Sequence, residues 1–196
     1  QRVALRALKA LRLPDIGGGV DEASEPETQP PILFLGFHLI ASSLLHALEE
    51  KDPSIKDRIA VVDFNPDVHR ELTRRGIRCV YGDVSNTSAI IESGLDKAKV
   101  VVCTIPDAIL KGTTNMALLA YIKRVNPNAR VVVTTESVRM ARSLWNAGAD
   151  FVLLPHMEAS DRLAPLIEHL LGEEAPQPCL DHRNRIMAHQ GEVVER

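Results

Sequence analysis

Asp63 closes the apolar run Ile59-Ala60-Val61-Val62 and is followed by Phe64-Asn65-Pro66. A carboxylate ending such a strand can accept hydrogen bonds from both hydroxyls of a ribose, and its charge repels a 2′-phosphate. The competing reading is a cap for the helix that starts at Pro66. Upstream, Ile32-Leu33-Phe34-Leu35-Gly36-Phe37-His38-Leu39-Ile40-Ala41 reads as a buried strand, a tight turn at glycine and a helix start. The two segments make the skeleton of a nucleotide-binding βαβ unit. Of the spacing G-x-G-x-x-G only Gly36 is present; His38 and Ala41 hold the other two positions.

The missing second glycine matters most. It normally lets a pyrophosphate approach bare backbone, and the Cβ and imidazole of His38 obstruct that approach. Ala41 is a mild change, because the third position needs only a small residue. The helix start still offers N–H groups and a positive dipole end to an anion. Three readings follow: a smaller ligand such as AMP or ADP, a vestigial pocket, or a phosphate contact made by His38 itself. A retained adenine-nucleotide pocket with altered phosphate geometry is favoured, with NAD(H) the other possibility.

Further residues come from the ends of later strands. Asp83, after Gly82, could bond an adenine edge beside the Val84 N–H, or simply make a turn. Thr104, Ile105 and Pro106 could line the pocket over ribose or phosphates, or form an ordinary strand-to-helix loop. The expected binding set is therefore Gly36, Phe37, His38, Leu39, Asp63, Phe64, Asn65, Asp83, Val84, Thr104, Ile105 and Pro106. No nucleophile elbow, Walker lysine, paired-carboxylate motif or metal-ligand spacing is present, so neither a catalytic nor a metal site is expected. Cys79, Cys103 and Cys179 are an odd number, with the first two in apolar runs, which suits buried free thiols in a reducing cytoplasm.

These residues need a scaffold. Strands are expected at 32–36, 59–63, 77–81, 99–103, 130–134 and 151–154. Helices are expected near 38–50, 66–75, 86–93, 109–125, 137–147 and 158–171. Pro66 suits a first helical turn, Gly76 and Gly148 suit helix ends that need positive φ, and Ser85 or Asn86 suits a cap. Continuously apolar strands such as Val100-Val101-Val102-Cys103 fit a parallel sheet covered on both faces. Alternation of strand and helix with right-handed crossovers gives an α/β, doubly wound, Rossmann-type six-stranded parallel sheet of order 3-2-1-4-5-6. Its switch point, between the first and fourth strands, is where the expected set converges.

Around this unit, 1–13 reads as a basic amphipathic helix and 14–31 as a flexible acidic linker, with Gly17-Gly18-Gly19 and no Lys or Arg. The globular domain occupies 32–171, and 172–196 forms a C-terminal tail that is loose or packs on a partner. The chain starts at Gln1, so a piece of a longer protein is expected. A net charge of −3 at 45% apolar and 25% charged residues is ordinary for a globular domain. It gives no reason to expect nucleic acid. No apolar run is long enough to span a bilayer.

From Ile32 to Leu171 the chain resembles the RCK N-lobe, or TrkA-N domain. Val61-Val62-Asp63-Phe64-Asn65-Pro66 looks like its second-strand segment. Gly76-Ile77-Arg78-Cys79-Val80-Tyr81-Gly82-Asp83-Val84-Ser85 resembles its third-strand block. Leu95-Asp96-Lys97-Ala98, Thr104-Ile105-Pro106-Asp107, Asn115 and Ala147-Gly148-Ala149-Asp150-Phe151-Val152-Leu153-Leu154-Pro155 are similar to later ones. The resemblance implies a ligand-binding regulator, often dimeric, that passes a nucleotide signal to a membrane transport domain of the same longer chain. It carries over to Gly36, Asp63, Asp83 and Thr104. A single lobe resembles the arrangement in cation:proton antiporters of the potassium-efflux type, on the cytoplasmic face of the inner membrane. Leu110 to Val125 and Val138 to Trp145 are candidate interface elements, for a dimer or for contact with the transporter, supported if Trp145, Met140 or Tyr121 is exposed. A scaffold with a degenerate pocket is one alternative. A small NAD-dependent oxidoreductase is another, although no proton donor stands beside Thr104.

Overall fold

The computed structural model describes residues 31–171, 177–188 and 193. The helix expected over 1–13 and nearly all of the linker over 14–31 lie outside the described residues. Six parallel strands form one sheet in the order β3-β2-β1-β4-β5-β6. They are β1 (Ile32–Leu35), β2 (Ile59–Asp63), β3 (Arg78–Tyr81), β4 (Val100–Cys103), β5 (Arg130–Thr134) and β6 (Phe151–Leu153). The helices are α1 (Leu39–Lys51), α2 (Pro66–Arg74), α3 (Thr87–Glu92), α4 (Asn115–Val125), α5 (Val138–Asn146), α6 (Pro155–Leu170) and α7 (Gln177–Ala188). This is the expected architecture and strand order.

Side chains alternate across each strand, so two cores form. Leu33, Leu35, Val62, Val101 and Val133 pack against Ile90, Leu118, Leu119 and Leu144 of α3, α4 and α5. Phe34, Val61 and Val102 pack against Ala41, Leu45, Val68 and Leu72 of α1 and α2. With helices over both faces, the strands have no reason to alternate with polar residues. Phe34 pairs with both Val61 and Val102, which fixes β1 at the centre.

Local chemistry sets the boundaries. Pro66 lies in the first turn of α2, and Asn65 accepts a bond from the Asp67 N–H. Asn86, not Ser85, caps α3. Gly76 and Gly148 take φ values of 79° and 98° after their helices. Two expectations change. The helix expected from 109 starts only at Asn115, because Gly112 takes a φ of 71° and Thr114 caps the helix through the Ala117 N–H. The helix expected from 158 starts at Pro155, which suits a first turn because its nitrogen has no hydrogen to leave orphaned. A 3-10 helix over Pro53–Arg58 was not expected. The expected tail contains α7. No residue of α6 is buried, and Leu163, Ile167 and Leu170 are exposed. Among the described residues, no helix is long and apolar enough to cross a membrane.

Candidate functional site

At the carboxyl ends of β1 and β2 the chain makes two linked turns. The Gly36 N–H donates to the Val62 carbonyl at 2.8 Å, and the Gly82 N–H donates to the Asp63 carbonyl at 3.0 Å. Gly36 has a φ of 78°, and a Cβ built there would lie 2.1 Å from Ile105 Cδ1. Glycine is therefore required twice, by backbone conformation and by the close approach of the β4–α4 loop.

Asp63 organises the floor. Its side chain is buried, accepting from the Phe37 N–H through Oδ2 and from the Asn65 N–H through Oδ1, both at 2.7 Å. It thus ties the glycine turn to the start of α2. Burial pushes the carboxyl above the ordinary aspartate value of 3.8; the Asn65 and Phe37 N–H groups pull it back down. No cation bonds to Asp63 among the described residues. Each oxygen has one bonded N–H, so each retains acceptor capacity for a ligand hydroxyl.

The crevice above has a volume of about 110 Å³ and is lined by Gly36, Asp63, Phe64, Asp83, Val84, Ile105, Ile109, Leu110 and Lys111. Six of these belong to the expected set. Phe64 is 61% exposed beside Asp63. Asp83 is exposed and accepts from the Ser85 N–H at 2.8 Å. Ile109, Leu110 and Lys111 lie outside the expected set, because the apolar pattern predicts a helix there; the signals for a loop are Gly112 and the cap-forming Thr114 before Asn115.

The remaining expected residues lie outside this lining. The Phe37 ring is buried among α1-side residues and meets Phe34 edge-on at 6.1 Å, so only its N–H belongs to the turn. His38 is the N-cap of α1, where its Nδ1 accepts from the Leu39 N–H at 2.6 Å. One N–H available to a phosphate is thereby occupied by the imidazole. The Leu39 side chain is exposed. Asn65 caps α2. Pro106 lines a separate cleft of about 490 Å³ between the β4–α4 and β5–α5 loops, with Thr135, Ser137 and Arg139.

Thr104 belongs to a polar knot at the ends of β4 and β5. The Asn115 Nδ2 donates to the carbonyls of Ile105 at 2.9 Å and Thr134 at 3.0 Å. Among the described residues, Thr104 Oγ1, Thr134 Oγ1 and Asn115 Oδ1 are buried without a hydrogen-bond partner. Such groups ordinarily hold water or a ligand atom. Among the described residues no cluster of His, Cys, Asp or Glu could hold a metal ion. Burial pushes both Cys79 and Cys103 up to about 12, which keeps these thiols protonated and unreactive.

Comparisons with known proteins agree with this geometry. The chain is 28% identical over 144 residues to the glutathione-regulated potassium-efflux system protein KefC of Enterobacter sp. (strain 638). That match covers 71% of this chain and 21% of the relative, so the chain spans about a fifth of KefC. The TrkA-N domain of the Escherichia coli inner membrane protein ybaL superposes with a TM-score of 0.62 at 22% identity, covering 70% of this chain and 96% of that one. The GsuK channel bound to NAD gives 0.53 at 20% identity, over 66% of this chain and 22% of the channel chain. These two likenesses speak to fold. Residues 32–155, well over half of the chain, match the TrkA-N domain, and the chain belongs to the TrkA-N domain family.

Proposed function

We propose that the chain is the cytoplasmic regulatory domain of a membrane potassium or cation:proton antiporter, controlled by an adenine nucleotide in the crevice at the sheet's switch point. The observation that carries this reading is Asp63: a buried carboxylate at the end of β2, held by two N–H groups and, among the described residues, bonded by no cation. Ribose hydroxyls would take its remaining lone pairs. Asp83 and the Val84 N–H would meet the adenine edge, and the Gly36–Leu39 turn would face the phosphate. Thr104, Ile105 and Pro106 would bound the far side. AMP or ADP suits the narrow crevice better than NAD(H), although the cleft beside Pro106 leaves room for the second half of a dinucleotide. Kinship with KefC and the nucleotide-bound state of the GsuK channel support both the ligand class and the transport context.

Control requires that the nucleotide bind two states of the assembly unequally. The partners in this reading are the transport domain of the same longer chain and a second copy of this chain. Trp145 is 46% exposed and stacks edge-on against Phe151, and Met140 is also exposed, so the outer face of α5 offers an aromatic patch for a homodimer. No enzymatic role is proposed.

Calorimetric titration with AMP, ADP, ATP, NAD⁺ and NADH tests the reading, with Asp63→Asn alongside. Saturable binding of at least one, weakened about tenfold or more in the variant, is expected. If none binds, the pocket is degenerate and the domain is a scaffold. The His38 cap on the Leu39 N–H is the observation that favours that second reading.

A further inference from the structure

Three charged side chains line the described crevice, and two of them, Asp63 and Asp83, are carboxylates. Carboxylates suit the hydroxyls and amine of a nucleoside but repel its phosphate. The usual remedy, bare N–H groups at a helix start, is partly spent here. The Phe37 N–H is taken by Asp63 and the Leu39 N–H by His38. The third charged group is Lys111.

Lys111 sits on the loop between β4 and α4. The loop turns where the Ile109 N–H donates to the Pro106 carbonyl at 2.9 Å, and is fastened where Asp107 accepts the Asn115 N–H at 2.6 Å. Gly112, next to Lys111, lies against the β3–α3 loop: a Cβ there would stand 3.5 Å from that of Ser85. The loop therefore spans the mouth of the crevice from the fourth strand to the third. Among the described residues Lys111 has no hydrogen bond or ion pair. Its ammonium is a flexible point charge, well suited to a phosphate that approaches without a glycine-lined cradle.

We propose that Lys111 is the residue that makes this crevice select a nucleoside phosphate over the nucleoside, by pairing with the phosphate across the mouth. The proposal rests on the nucleotide reading above. The competing role is balance: Lys111 simply offsets the two carboxylates and raises no preference between ligands.

Calorimetry with AMP and with adenosine separates the two, using the wild-type chain, Lys111→Met and Lys111→Arg. Lys111 is exposed, so the variants should keep the wild-type melting temperature. The wild type should prefer AMP over adenosine by about tenfold or more, as one partly screened ion pair allows. Lys111→Met should abolish that preference by weakening AMP alone, Lys111→Arg should keep it, and salt near roughly 0.5 M should erode it. Parallel changes in both ligands, or no change in either, would overturn the proposal. Equal wild-type affinity for AMP and adenosine would overturn it while leaving the nucleotide reading intact. Binding of neither would overturn that reading, and Lys111's role with it.

Discussion

Two aspartates at opposite ends of the sheet show how differently this chain treats a carboxylate. Asp150, just before β6, accepts the Val131 N–H at 2.9 Å and pairs with Lys123 at 3.0 Å and Arg130 at 3.2 Å. The Val131 N–H, helped by these two cations, holds its carboxyl below the ordinary aspartate range. Asp63 also accepts backbone N–H groups, at the other end of the strands, but burial pushes its carboxyl upward and, among the described residues, no cation bonds to it. The first is a finished structural joint that ties α4 and β5 to β6. The second is an unfinished one, in which a polar partner from outside the fold would improve the energetics. Under the proposed nucleotide reading, that contrast, rather than the damaged glycine motif, is what sets Asp63 apart from a purely structural carboxylate.

The contrast can be sharpened most strongly at Gly36, whose tight fit presses Ile105 against the Asp63 turn. Gly36→Ala meets an unfavourable φ and the Ile105 side chain, and should cost about 3 kcal/mol in urea unfolding. Ile105→Ala opens space but removes buried surface. The double variant should therefore cost at least about 1 kcal/mol less than the sum of the two singles. Simple additivity would show that Ile105 is not the obstacle, and the crevice wall would need another account.

Truncating the two aspartates is a direct attack on the comparison. Asp63→Ala strands the buried Phe37 N–H and frees the Asn65 N–H, for a loss of about 2 kcal/mol. Asp150→Ala breaks bonds that water can largely replace, since Arg130 is exposed and Asp150 itself only partly covered, for about 1 kcal/mol. The reverse order in chemical denaturation would mean that Asp150 is the more important anchor, and the distinction drawn above would fail.

The sheet was legible because its cause is local and repeated. Val100-Val101-Val102-Cys103 and Val131-Val132-Val133 are apolar without alternation, as expected of parallel strands covered on both faces. Strand ends then place Gly36, Asp63 and Asp83 together without further information. Phe37 was harder: within the turn its ring faces the α1-side core, and sequence spacing does not report which way a turn residue points. The β4–α4 loop reads as helix in the sequence because Ile109 and Leu110 lead smoothly into the apolar pattern of α4. Gly112 and Thr114 carry the opposing signal, which places Ile109, Leu110 and Lys111 on a loop. The polar knot of Thr104, Asn115 and Thr134 was invisible for a different reason, since it joins residues whose proximity exists only after β4 and β5 pair.

The smallest expected effect is also the most specific, because the two carboxyls should bend the pH dependence of stability in opposite senses on either side of one value. Asp150 is shifted downward from 3.8 by folding, so it favours the folded state above that value, and this contribution is lost as pH falls through its folded pKa. Asp63 is shifted upward, so the folded chain holds its proton more tightly, and stability is lost as pH rises from 3.8 through its folded pKa. Subtracting the profile of Asp150→Asn from that of the wild type should give a curve flat above 3.8 and falling below it. Subtracting that of Asp63→Asn should give one flat below 3.8 and falling above it. A nucleotide that hydrogen-bonds the ionised Asp63 carboxylate should shrink the second fall and leave the first untouched. If both difference curves fall on the same side of 3.8, the N–H groups around Asp63 outweigh its burial, and its charge is as well satisfied as that of Asp150.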